Sequence, residues 1–133
     1  MSNCFVNLRV HTNHSLSEGM LTANYIANFC KNDLQPACAI TDTSNLFGVF
    51  EFSEKLSFQG IQPLIGIQIN LIDDYLQKFN EIVLIAKNEN GYLNLVNLSN
   101  KINLNINENT YRAITINDLK NYSEGLILLT GWN

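Results

Sequence analysis

The sequence predicts an α/β fold with a parallel sheet, and three observations carry that reading. Short apolar runs of strand length alternate with segments whose apolar residues recur at three- and four-residue steps. The links between them are short, as right-handed βαβ units require. Two of the apolar runs lead into polar stretches, Arg9-Val10-His11-Thr12-Asn13-His14-Ser15 and Ile40-Thr41-Asp42-Thr43-Ser44-Asn45. Each is placed as a loop at the carboxyl end of a strand, where barrel and open-sheet folds keep their chemistry.

Cys4 to Val10 (CFVNLRV) reads as a mostly apolar strand buried on both faces. Thr22 is positioned to cap a helix running to about Asn32, with Ala23, Ile26, Ala27 and Cys30 on one face. Ala37 to Thr41 is a second short strand, and its small residues suit a crowded interior. Val49 to Phe58 is a second helix, closed by Gly60, because glycine takes the left-handed conformation at a helix end with little strain. Gln62 to Leu71 forms the third strand.

Asp73 to Asn80 is a polar, hairpin-like connection into a fourth strand, Glu81 to Ala86 (EIVLIA). A helix from about Tyr92 to Asn103 follows, with Leu95, Leu98 and Ile102 at helical spacing. Asn103 to Thr110 (NLNINENT) is Asn-rich, which favours turns, and reads as an exposed loop. Thr115-Ile116-Asn117-Asp118 has the pattern of a capping box with Asp in place of Glu, opening a short helical turn over Leu119 to Tyr122. Leu126 to Thr130 is the last strand. As an uncovered edge it is expected to pair with a copy of itself.

The chain has 133 residues, 46% of them apolar, enough for one ordinary core. Its net charge is -4 with scattered Lys and Arg, so it has no basic stripe to neutralise a phosphate backbone. No apolar run approaches the roughly 18 residues of a membrane helix. The amino terminus lacks a basic start followed by an apolar stretch. A soluble, cytoplasmic protein with no membrane contact is expected. Cys4, Cys30 and Cys38 are read as small buried hydrophobes rather than a disulfide framework. Gly48, Gly60, Gly66 and Gly91 are read as turn and cap glycines, since no phosphate-cradling motif occurs. Neither Ser15 nor Ser44 has an adjacent base to make it a nucleophile.

Several runs carry a family resemblance. They are Phe5-Val6-Asn7-Leu8-Arg9-Val10-His11-Thr12, Leu16-Ser17-Glu18-Gly19, Ala39-Ile40-Thr41-Asp42 with Asn45-Leu46-Phe47-Gly48, and Gly60-Ile61-Gln62-Pro63-Leu64-Ile65-Gly66. Asn90-Gly91-Tyr92-Leu93-Asn94-Leu95 and Glu124-Gly125-Leu126-Ile127-Leu128-Leu129-Thr130-Gly131 continue the series. Together they resemble the polymerase and histidinol phosphatase (PHP) domain that opens the bacterial DNA polymerase III alpha subunit. The resemblance implies the N-terminal portion of a distorted (β/α)7 barrel, residues 1–133 being part of a PHP domain in a much longer polymerase chain. Barrels need roughly 200 residues or more, and Trp132 would be core in the intact one.

Family members that keep their metal sites hold a cluster of divalent ions through His, Asp and Glu and hydrolyse phosphoesters. Here that pattern is broken. Arg9 stands at the first position of the family's His-X-His, and His11 keeps the second. Glu18 keeps an acidic place. Asp42 stays, but Thr43 replaces the His of Thr-Asp-His, and Gln68 replaces a Glu; Glu81 stands where a His is often found. A guanidinium has no lone pair to offer a metal, and an amide binds transition metals poorly.

These vestigial positions, Arg9, His11, Glu18, Asp42, Thr43 and Gln68, imply no catalytic residue and no metal here. Left open are whether His11 is a remnant ligand or a structural or solvated histidine, and whether Asp42 caps its own turn or pairs with Arg9. His14 is read as a ring filling a slot. The resemblance implies a scaffold that stabilises a DNA-directed DNA polymerase, a nucleotidyltransferase, and docks its proofreading exonuclease subunit and other replicase subunits. DNA and magnesium would be held elsewhere in that longer chain, the magnesium by its palm. The alternatives are a metal-dependent phosphoesterase using His11, Glu18, Asp42 and ligands beyond Asn133, and a free-standing hydrolase or binding module of the same fold.

Overall fold

The computed structural model describes residues 5–73, 78–104 and 112–130. Cys4, the tip of the connection after Asp73, most of the Asn-rich segment and Trp132 lie outside the described residues.

Helix α1 (Ala23–Asn32) begins where Thr22 Oγ1 accepts the Tyr25 N–H, and it buries Ala23, Ile26, Ala27 and Cys30, the face expected from spacing. Helix α2 (Val49–Phe58) buries Phe52 and Leu56 and leaves Phe50 in solvent. Both helices end in the same way. The Leu34 N–H meets Lys31 O and the Gln35 N–H meets Cys30 O, while the Gly60 N–H meets Ser57 O and the Ile61 N–H meets Leu56 O. This paired closure needs a left-handed residue. Gly60 supplies it at φ 74° without strain; Leu34 adopts φ 56° despite its Cβ.

Strands β1 (Ala37–Ile40), β2 (Gln62–Asp73) and β3 (Lys78–Ala86) follow the expected order, with β3 starting three residues early. The sheet is mixed rather than wholly parallel. β1 pairs parallel with Gln62 to Ile65, while β3 turns back as a hairpin and pairs antiparallel with Gly66 to Asp73. A connection this short permits only an antiparallel return.

Helix α3 (Glu89–Leu104) buries Leu95, Leu98 and Ile102 and starts earlier than its apolar period suggests. Gly91 is therefore inside a helix, not a turn, and it sits against the Gly125 carbonyl. A three-residue strand, β4 (Ala113–Thr115), escapes sequence reading because it is too short to show alternation; it pairs parallel with Asn70 to Ile72. Thr115 and Asp118 form both bonds of the capping box at the start of α4 (Ile116–Asn121). β5 (Leu126–Thr130) pairs antiparallel with β3 as an edge.

The expected first strand is reduced to an extended run. Asn7 makes one parallel bridge to Cys38, and Asn7 O and Val10 O accept the Ala39 and Thr41 N–H groups at 2.8 Å. It is not buried on both faces, for Phe5 is 64% and Leu8 41% exposed. Two main apolar clusters result. One joins α1, α2 and β1; the other joins β2, β3, α3 and β4.

Candidate functional site

Three segments bring the site together at the carboxyl ends of β1 and the middle of β2. Residues 7–11 run beside β1, and Thr41 Oγ1 ties the first segment down by accepting the Val10 N–H at 2.9 Å. The loop after it coils tightly, with Glu18 and Gly19 N–H groups both meeting Ser15 O. A Cβ on Gly19 would lie 2.1 Å from Thr12 O, so only glycine lets the loop close there. The segment after β1 bridges to β2 through Ser44 N–H to Gln68 O and Gln68 N–H to Asp42 O.

The six candidate side chains lie close together, linked by hydrogen bonds and by one ion-pair contact between His11 and Glu18, with Asp42 joined through Ser15. Arg9 donates from Nε to Gln68 Oε1 at 2.7 Å and reaches Glu81 Oε2 from Nη2 at 3.3 Å. His11 Nε2 lies 3.0 Å from the same Gln68 oxygen. An amide oxygen can only accept, so Nε2 carries the proton. The other ring nitrogen, Nδ1, stands 3.5 Å from Glu18 Oε2. Thr43 donates its hydroxyl to that same Glu18 oxygen, and its N–H meets Ser15 Oγ at 3.1 Å.

Asp42 closes the chain. It is 1% exposed and accepts three bonds, from Thr12 N–H at 2.6 Å, Thr12 Oγ1 at 2.7 Å and Ser15 Oγ at 2.7 Å. Neither partner expected for it is found. Arg9 turns instead to Glu81 and Gln68, and the amide that Asp42 caps belongs to Thr12, thirty residues away. Thr12 and Ser15, both fully buried, were missed as members of the site; a polar loop in sequence gives no sign that its hydroxyls turn inward. His14 is half-buried, with its ring against Gly48 and 4.0 Å from Glu51.

Two cavities flank this chain of bonds. One of about 440 Å³ is lined by Asn7, Arg9, His11, Tyr25, Phe29 and Cys38. The other, about 240 Å³, is lined by Glu18, Thr43, Asn45, Phe47, Asn70 and Arg112.

The donor set does not fit a metal cluster. Among the described residues no three His, Cys, Asp or Glu side chains are grouped to hold an ion. The oxygens nearest His11 are committed to Arg9, Thr43 and backbone partners, and Arg9 puts a fixed positive charge in their midst. No buried side-chain nitrogen or oxygen among the described residues lacks a partner, so no ligand is needed to satisfy them.

The family described as "PHP domain" matches residues 7–132. The DNA polymerase III subunit alpha of Caulobacter vibrioides is 35% identical over 133 residues, covering 96% of this chain and 12% of the relative. That of Rickettsia bellii is 36% identical over 129 residues, covering 97% and 11%. That of Treponema pallidum is 32% identical over 137 residues, covering 95% and 12%. The chain thus spans about an eighth of the length of these curated relatives or less.

Among solved structures, a Bifidobacterium adolescentis protein described as a candidate metal-dependent phosphoesterase matches with a TM-score of 0.57 and 17% identity, over 92% of this chain and 44% of its own. An amidohydrolase from Chromobacterium violaceum, solved with sulfate and no metal, matches with a TM-score of 0.55 and 19% identity, over 73% and 34%. At these identities the likeness is one of fold.

Proposed function

This chain belongs to the PHP domain family, and from that membership we propose that it is the front of a replicative DNA polymerase III alpha subunit. In this reading the PHP region is a metal-free, non-hydrolytic scaffold that steadies the polymerase and docks the proofreading exonuclease subunit. The names of the relatives support the replicative setting. Nucleotidyl transfer, DNA and magnesium belong to the rest of the polymerase, which acts in the cytoplasm.

One observation supports the metal-free part: the Arg9 guanidinium is fixed by Gln68 Oε1 and Glu81, at the position where the family resemblance implies a cation-binding imidazole. A permanently protonated group both repels a divalent ion and removes the need for one, since it supplies the positive charge the carboxylates require. A second reading, a residual phosphoesterase, draws on the 3.5 Å approach of His11 Nδ1 to Glu18, two groups able to share an ion. Among the described residues they lack a third ligand.

Metal analysis of protein purified without chelator, followed by bis(p-nitrophenyl) phosphate hydrolysis with added manganese, separates the two readings. Sub-stoichiometric metal and no manganese-dependent turnover are expected; a full complement of zinc or manganese with turnover favours the phosphoesterase. Calorimetric titration with the exonuclease subunit tests the docking half, which absence of binding heat would remove.

A further inference from the structure

Helix α2 shows solvent an aromatic ridge that the core does not use. Phe50 and Phe58 lie on one row of the helix, two four-residue steps apart, with Glu54 between them. Phe47 stands just before the helix, and the three rings are 77%, 81% and 87% exposed in chain order. Three phenylalanines so exposed leave on the order of 500 Å² of apolar surface in water. The helix does not need them, since Phe52 and Leu56 already fill its inner face.

The charges around the ridge narrow what covers it. Glu54 lies on the ridge and Glu51 beside it, both with exposed carboxylates, and among the described residues Glu51 has only His14 within ion-pair range, at 4.0 Å. Lys55 is the single cation on the helix and pairs loosely with Glu54 at 3.8 Å. A second copy of this chain docking symmetrically on this face would bring together two glutamates and one lysine from each side, a net like charge in the seam, which is repulsive. A surface of opposite sign meets no such penalty.

We propose that the outer face of α2, Phe47, Phe50 and Phe58 with Glu51 and Glu54, is the docking surface for a partner protein segment that presents apolar side chains flanked by Lys or Arg. This rests on the docking role proposed above and assigns it a place. An apolar centre supplies the affinity, and the glutamates set orientation and on-rate.

The test uses the full-length natural chain that carries this region, titrated calorimetrically with the proofreading exonuclease subunit. Phe50→Ser/Phe58→Ser is expected to weaken binding at least roughly tenfold, and Glu51→Lys/Glu54→Lys to weaken it and flatten its salt dependence. Leu93→Ser on the exposed side of α3 is expected to leave binding unchanged. The altered positions are exposed, and circular dichroism checks that every variant keeps its fold. Unchanged affinity in the α2 variants, with the parent binding, overturns this surface and leaves docking intact. No binding by the parent overturns docking and the surface together. Self-association that disappears in the phenylalanine variants assigns the ridge to a second copy and overturns the proposal.

Discussion

Arg9 and Gln68, 59 residues apart, are joined side chain to side chain at 2.7 Å, and the amide end of the pair is 3% exposed while the guanidinium is partly in water. The two ends should therefore respond differently to truncation. Arg9→Ala leaves Gln68 bonded to His11 and lets Glu81 rehydrate, so a loss of about 1 kcal/mol is expected. Gln68→Ala strands two donors beside a buried gap and is expected to remove about 2–3 kcal/mol. Urea denaturation of both variants checks the order, which the reverse ranking would overturn.

Asp42 is the single acceptor for three donors from the loop after residue 11. Asp42→Ala leaves the Thr12 amide and two hydroxyls unpaired in the interior, and a loss of about 3–5 kcal/mol is expected. Thr12→Val removes one hydroxyl and keeps the amide bond, so a smaller loss of about 1 kcal/mol is expected. A small effect of Asp42→Ala in chemical denaturation would mean that the loop finds other partners.

The two helix endings provide a matched pair. Leu34→Gly is expected to stabilise the protein by about 1 kcal/mol, because it relieves a left-handed leucine that is largely in solvent. Gly60→Ala is expected to destabilise by a similar amount; a Cβ there meets no atom within 4 Å, so only backbone conformation is changed. Thermal melts should move in opposite directions.

Lys101 and Asp118 are bonded across α3 and α4. Burial opposes ionisation of Asp118, but the Lys101 ammonium and Thr115 outweigh it and hold the carboxyl below its usual range. A depressed carboxyl contributes stability above its unfolded pKa of about 4, and that contribution fades as pH falls through the lower folded value. Its hydrogen bond to Asp118 raises Lys101, whose contribution is complete below its unfolded value and fades as pH rises through the folded one. Asp118→Asn should flatten the acid limb of a stability profile and Lys101→Met the alkaline limb.

Burial pushes the Cys38 thiol up to about 12 and raises that of Cys30 as well. Neither forms an appreciable thiolate near neutrality, so both are expected to resist iodoacetamide in the folded protein and to react in urea. Peptide mapping distinguishes them from Cys4.

Local rules made α1, α2 and β5 legible almost to the residue, because Thr22, Gly60 and the buried periods of α1 and α2 act within a few positions. The capping box of Thr115 and Asp118 was legible for the same reason. β4 was not, since three residues carry no period; the hairpin-like connection into β3 was legible, but the mixture of strand directions in the sheet was not, because it is decided by pairing at a distance. At the site, the family resemblance marked which positions belong together, and the structure brings them close. It gave no hint that Arg9 would choose Glu81, or that Thr12 and Ser15 would supply the donors for Asp42, because those choices depend on contacts 27 to 72 residues apart.

Among the described residues Ile65 is the one side chain that packs against both main apolar clusters, at the residue where β2 leaves β1 and, from Gly66 on, takes up β3. A single continuous strand through two interiors makes their melting cooperative. Neither half can loosen without pulling on the other's ladder, so this short chain should unfold as one thermodynamic unit although its apolar side chains form separate nuclei.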